Sequence, residues 1–170
     1  TGRVRSANED ALRFDASLGL AILADGMGGY AAGEVASRMA VDEIFDELAS
    51  ALPHLQAQAT SPDRAGLHED MRFAAARANS SIIAAARREP EYEGMGSTLV
   101  IAVLMHDIIT IAHLGDSRAY RLRAGVLEQL TRDHCWVDEQ IAMGALSVDA
   151  ILDTRYRNIV TRALGIEDEI

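Results

Sequence analysis

An α+β domain built on antiparallel strands is what this sequence predicts. Short apolar, β-branched runs occur in pairs around brief turn signals. Two long segments carry helical spacing. The strands stand before and after the two helices rather than alternating with them, which is the order of α+β and not of a doubly wound α/β fold.

The elements follow in order. "ALRFD" and "LGLAILAD" flank "AS" and read as two strands joined by a turn. From Gly33 to Leu52, apolar residues fall at Val35, Met39, Ile44, Phe45, Leu48 and Leu52, close to a helical period, with Pro53 as the stop. Residues 53–64, "PHLQAQATSPDR", are polar and predict a loop. A second helix is expected from Gly66 to Arg88, with Leu67, Met71, Ala74, Ala75, Ala78 and Ile82 on one face and Pro90 beyond its end. "STLVIAVLM" and "IITIAHLGD" around "HD" predict one hairpin, and "RAYRLR" and "VLEQLT" around "AG" another. Residues 136–157 are expected to hold a helix followed by a mobile segment, and "NIVTRALG" fits strand or helix.

With 170 residues, 49 % of them apolar and 25 % charged, the chain suits one domain with a substantial core. A net charge of −10 argues against nucleic acid as the main partner. An acidic protein still meets phosphate through a bound cation, which reverses the local field. Cys135 is the one cysteine, so no disulfide framework or cysteine zinc cluster is available, which suits a reducing compartment. No apolar run approaches the roughly 20 residues a membrane span needs. The expectation is a cytoplasmic protein.

Chemistry concentrates in "LAILADGMGGYAAGEVAS", Leu20 to Ser37. Asp25 ends an apolar run and glycines follow it. Gly26 to Ala31 fits G-x-G-x-x-A between a strand and a helix, so dinucleotide binding is one reading. Asp25 weighs against it, because a carboxylate there repels a pyrophosphate. A metal reading uses every part: Asp25 offers the hard oxygen that Mg²⁺ and Mn²⁺ prefer, and a glycine at position 26 lets its carbonyl turn to the same ion. A plain glycine turn with a capping Asp is the third reading. Glu9 and Asp10 precede the first strand, Asp116 sits in "HLGDSRAY" and Asp133 in "LTRDH". Each is a cation ligand or a turn carboxylate, the second reading being favoured most for Asp133. Arg5 reads as a solvated surface charge or, beside a cation cluster, as a two-pronged phosphate holder. The histidines show no metal spacing, and His113 on an apolar strand reads as a satisfied core residue. G-x-S-x-G is absent, so Ser97 and Ser117 have weak support as nucleophiles.

In order and spacing, "VRSANEDA", "LADGMGGYAAGEVAS", "GMGSTLV", "AHLGDSRAYRLR", "LTRDHCWVDEQ" and "NIVTRALG" resemble the metal-dependent protein serine/threonine phosphatases of the type 2C class in their bacterial form, from about Gly2 to Gly165. The resemblance implies two packed antiparallel sheets flanked by helix pairs, with a Mn²⁺/Mg²⁺ site at one end. It implies two ions, and a third, weaker one in bacterial members. Asp25 resembles the bridging ligand, Gly26 the carbonyl donor, Glu9 the ligand of the second ion, Asp10 a residue orienting water, Arg5 the phosphate-binding arginine and Asp116 a ligand of the third ion. Residues 140–157 resemble the flap beside the substrate groove. The implied reaction is hydrolysis of phosphoserine and phosphothreonine in proteins by a water activated between the two ions. The implied partners are phosphorylated proteins and a Ser/Thr kinase pathway. Met27 stands where many members, mainly eukaryotic, have a histidine thought to donate a proton. The family also supplies two further aspartates, and the chain ends at Ile170 before either, so residues 1–170 are expected to form one catalytic domain lacking its last strands, binding metal weakly and turning over slowly when alone. The competing class is a non-catalytic binding module of the same fold.

Overall fold

The structure, a computed structural model, describes residues 8–28, 32–58, 64–145 and 159–170. Its main sheet is antiparallel. β1 (Asp10–Asp15) pairs with β2 (Leu20–Met27), β2 with β4 (Leu99–Met105), and β4 with the outer strand β5 (Ile108–Leu114). The two-residue β3 (Gly96–Ser97) continues the pairing along β2, with Gly26 opposite Ser97 and Leu23 opposite Val100. β6 (Tyr120–Arg123) and β7 (Val126–Gln129) form a separate hairpin. The turn of that hairpin places Ala124 and Gly125 at positive φ, as a tight two-residue connection demands.

Two long helices, α1 (Ala32–Gln58) and α2 (Arg64–Arg88), cover one face of the main sheet, and the short α3 (Trp136–Ala142) follows the hairpin. Alternation along β2 explains the layering. Leu20, Ile22 and Ala24 turn inward and are buried, while Leu23 between them is exposed. Ile101, Val103 and Met105 of β4 join them, and Ile44, Leu48, Leu52, Leu67, Met71 and Ile82 of the helices close the core. Each such side chain contributes about 1.5–3 kcal/mol by leaving water. On the opposite face Leu12, Phe14, Leu104 and Ile109 are exposed.

Several boundaries differ from expectation. Pro53 lies inside α1, which runs six residues past Leu52 to Gln58. A proline forfeits one backbone hydrogen bond, and Pro53 sits on the exposed side of the helix. The extra turn is secured by Leu55, packed on the core, and by Gln56, whose Nε2 donates to the Leu18 carbonyl at 3.2 Å. Tertiary contacts override the local stop signal there. Segment 159–165 is neither helix nor continuous strand: it makes single antiparallel bridges, Val160 with Cys135 and Leu164 with Ser97. Buried Asn79 fixes it, accepting from the Gly165 amide at 2.7 Å and donating to the Glu167 carbonyl at 2.8 Å. Of the expected flap, residues 146–157 lie outside the described residues, and so does Arg5.

Candidate metal centre

The main sheet brings the candidate acids to one end. Register sets Asp10 directly opposite Asp25 on one side of β2. On the other side Thr98 stands across from Asp25, its amide donating to the Asp25 carbonyl at 2.9 Å. Side chains of directly opposed residues share a face with Cβ atoms about 4.5–5.5 Å apart. Asp10 and Asp25 therefore place two carboxylate side chains on the same face at the strand ends. Among the described residues Asp10's carboxylate has no hydrogen-bond or ion-pair partner.

Glu9 and Gly26 form the next rung, the Gly26 amide donating to the Glu9 carbonyl at 2.9 Å. This rung faces the helices. A Cβ on Gly33, in the first turn of α1, would stand 3.1 Å from the Glu9 carboxyl carbon. The Glu9 carboxylate thus lies against a helix N-terminus, whose partial positive charge favours it. A Cβ on Gly26 would come within 1.9 Å of the Gly33 carbonyl oxygen. What approaches this glycine most closely is the chain's own first helical turn, so position 26 must be glycine before any ligand is considered.

Asp116 is exposed, in the loop that leaves β5. Its neighbour Ser117 ties it to the row above: the Ser117 and Thr98 hydroxyl oxygens are 2.8 Å apart, and Thr98 Oγ1 accepts the Asp25 amide hydrogen at 2.9 Å. Glu9, Asp10, Asp25 and Gly26 thus gather at the ends of β1 and β2, and Asp116 is joined to them through Thr98. Among the described residues no three His, Cys, Asp or Glu side chains are grouped tightly enough to hold a metal ion. The donor chemistry itself fits a hard divalent cation: carboxylate oxygens and a carbonyl, with no soft ligand among them.

The remaining candidates have structural work. Asp133 is buried and takes three hydrogen bonds from Arg118, Nε to Oδ1 at 3.0 Å, Nε to Oδ2 at 2.9 Å and Nη2 to Oδ2 at 2.6 Å, with Gln129 Nε2 adding a fourth at 3.2 Å. Cys135 is buried, and that burial pushes its thiol pKa up, away from nucleophilic thiolate character. His113 Nε2 lies 2.7 Å from the Arg132 carbonyl oxygen, so it is satisfied as expected, though half-buried rather than core. Its ring stacks on His134 with centroids 4.8 Å apart.

His134 Nδ1 accepts the Gly115 amide hydrogen at 3.2 Å, which assigns its proton to Nε2. Burial first, and then the charge of His113, lower its pKa from the ordinary value near 6.5. The unfolded chain then binds a proton more readily than the folded one, so stability falls as pH drops below about 6.5 and continues to fall to the depressed folded value. Thermal melts should show Tm declining between pH 7.5 and 5.5 in the wild type and declining less in His134→Gln. Equal acid losses would mean that His134 is not a linked group.

Thr98 is the residue whose place in the site sequence reasoning missed. It stood in the quoted "GMGSTLV" without a role. The one available signal is a buried polar residue at the head of the apolar run "LVIAVLM".

An antiparallel sheet with carboxylates at one end and a helix pair on one face does not by itself fix a chemistry; comparison with known proteins identifies the family. Residues 3–144 match the family model for protein phosphatase 2C, and the chain belongs to that family. It is 36 % identical over 172 residues to the serine/threonine phosphatase stp of Listeria monocytogenes, covering 99 % of this chain and 66 % of that one. It thus spans just under two thirds of that curated relative. The crystal structure of serine/threonine phosphatase Stp1 from Staphylococcus aureus superposes with a TM-score of 0.82 at 31 % identity, covering 100 % of this chain and 65 % of that one. The catalytic domain of the serine/threonine protein phosphatase PstP, solved in complex with two manganese ions, superposes with a TM-score of 0.72 at 36 % identity, over 99 % of this chain and 65 % of that one. Family membership sets aside the dinucleotide reading of Gly26 to Ala31. No helix among the described residues is long and apolar enough to cross a membrane.

Proposed function

We propose that this chain hydrolyses phosphoserine and phosphothreonine in proteins, with Mn²⁺ or Mg²⁺ held at the ends of β1 and β2. The observation that carries the reading is the opposed pair Asp10 and Asp25 on adjacent strands: two hard carboxylate donors in register at the strand ends are the ligand type a divalent cation takes. Asp25, Glu9 and the Gly26 carbonyl would hold two ions, and Asp116 a third, weaker one. The two manganese ions bound to PstP support the choice of metal. When bound, the cations lower the pKa of a water and offset the charge of the phosphoryl oxygens.

The chain's own groups do the rest. Asp10, beside Asp25, accepts a hydrogen bond from the attacking water and orients it. Arg5 would grip two phosphoryl oxygens with its planar fork. Met27 has no proton to give, so protonation of the leaving oxygen falls to another group or matters less. Direct attack by water agrees with the state of the hydroxyls and the thiol. Ser97 Oγ shares its one hydrogen between the Thr98 carbonyl at 2.9 Å and the Asp25 carbonyl at 3.2 Å, Ser117 pairs with Thr98, and Cys135 is buried. The net charge of −10 gives no general attraction for a phosphopeptide, so binding depends on the ions and Arg5. The partners are phosphorylated proteins of a Ser/Thr kinase pathway, and the compartment is the cytoplasm, where a single buried thiol stays reduced.

The test is to strip the protein with a chelator, assay phosphate release from a phosphothreonine peptide, and add Mn²⁺ back. Release should vanish and return. Turnover indifferent to both steps would refute the reading, and Mn²⁺ uptake without turnover would favour the non-catalytic module.

A further inference from the structure

In a regular antiparallel ladder the Asp25 amide would donate to the carbonyl of the residue across from it. It donates instead to the Thr98 hydroxyl at 2.9 Å, while the Thr98 carbonyl takes the Ser97 hydroxyl at 2.9 Å. The Thr98 hydroxyl is thus built into the backbone of the residue that bears the central carboxylate. Thr98 is 2 % exposed, so no water substitutes for it. Valine would keep the shape and the strand preference but would leave the Asp25 amide without an acceptor.

The other side of Thr98 reaches the Asp116 loop. A hydroxyl has one hydrogen and two lone pairs, so Thr98 Oγ1 can engage both the Asp25 amide and Ser117 Oγ, 2.8 Å away. Its methyl carbon lies 2.7 Å from where a Cβ on Gly115 would stand, and Gly115 has φ +92°, so only glycine lets the loop close on Thr98. His134 holds the loop from beyond: its amide donates to the Gly115 carbonyl at 3.0 Å, and its ring accepts from the Gly115 amide at 3.2 Å. Both residues flanking Asp116 are fixed, and both touch Thr98.

We infer that Thr98 is a positioning residue that couples Asp25 to the Asp116 loop, with Ser117 as the link, so that the ions held by the two acids are taken up interdependently. The inference rests on the proposed reading of Asp25 and Asp116 as cation ligands. Groups that orient metal ligands change affinity by about 10–100-fold when removed.

The test titrates Mn²⁺ into the metal-free protein by calorimetry for wild type, Thr98→Val, Thr98→Ser, Ser117→Ala and the Thr98→Val/Ser117→Ala double variant. Thr98→Val should weaken Mn²⁺ binding at least about tenfold, and Thr98→Ser should restore most of it. Ser117→Ala should weaken the loosest ion most and remove the dependence of each ion's uptake on the other, and the double variant should resemble Thr98→Val rather than the sum of the two, the signature of coupling. Amide exchange at residues 115–117 of the metal-free protein should quicken in Ser117→Ala. In turnover, the Mn²⁺ concentration for half-maximal rate should rise by a larger factor than kcat falls. If Thr98→Val does not fold, Thr98→Ser and Ser117→Ala still carry the comparison. Wild-type isotherms and exchange in Ser117→Ala, or strict additivity, overturn the inference alone. A wild type that takes up no Mn²⁺ overturns it together with the functional reading.

Discussion

Replacing Asp25 with asparagine should lower Mn²⁺-dependent phosphate release on the order of 1,000-fold, equivalent to about 4 kcal/mol of barrier. The same variant should keep its fold. The amide side chain has the carboxylate's shape, and the backbone bonds of residue 25, its amide to the Thr98 hydroxyl and its carbonyl from the Thr98 amide, do not involve the charge. One of two like charges opposed across the ladder is also removed, which relieves repulsion between the strands. Tm of the metal-free protein should therefore stay within about 3 °C of wild type, a shift that corresponds to roughly 1 kcal/mol in a chain of this size. Activity and stability would separate, as they do where a charge is kept for chemistry at the expense of the fold. Full Mn²⁺-dependent turnover in Asp25→Asn would show that another residue holds the ion. A large Tm loss would show that the carboxylate is a structural partner first.

The α+β class and both long helices could be read from the chain because they depend on local periodicity. Apolar residues at helical spacing before Pro53 and before Pro90 announce helices whatever they pack against. The site was readable only as a set of residue types. Asp25 beside its glycines suggested a cation, but nothing local says that Asp10 stands across from it. That follows from strand register, which the turn between Asp15 and Leu20 sets. Thr98 stayed hidden because threonine is ordinary in strands; its role comes from a partner 73 positions earlier and another 19 later. Asp133 looked like a turn residue because its arginine lies 15 positions away, and only folding buries its carboxylate against that half-exposed side chain. Pro53 misled in the opposite direction. A strong local stop was overruled by Leu55 and Gln56, which are held by the core and by Leu18.

Gly26→Ala should be the most damaging single-methyl change in the described chain. Its methyl group would lie 1.9 Å from the Gly33 carbonyl oxygen, 2.4 Å from the Gly33 carbonyl carbon and 2.9 Å from the Glu9 carbonyl oxygen, all backbone atoms. No rotamer relieves contacts of that kind. Either the first turn of α1 lifts from β2 or the Glu9–Gly26 rung opens, at a cost of about 3 kcal/mol, the upper end of ordinary overpacking. A urea titration should show the midpoint falling with little change in slope. Gly94→Ala is the control: Gly94 has φ +72° and open space around it, so an alanine there suffers backbone strain of about 1 kcal/mol without collision. The order Gly26→Ala far below Gly94→Ala separates crowding from strain, and equal losses would mean that α1 does not rest on β2 as described. Both escape routes from the clash displace Glu9 from the helix end or from Asp25. Even a folded Gly26→Ala fraction should therefore bind Mn²⁺ more weakly than wild type, tying the packing of this glycine to the chemistry beside it.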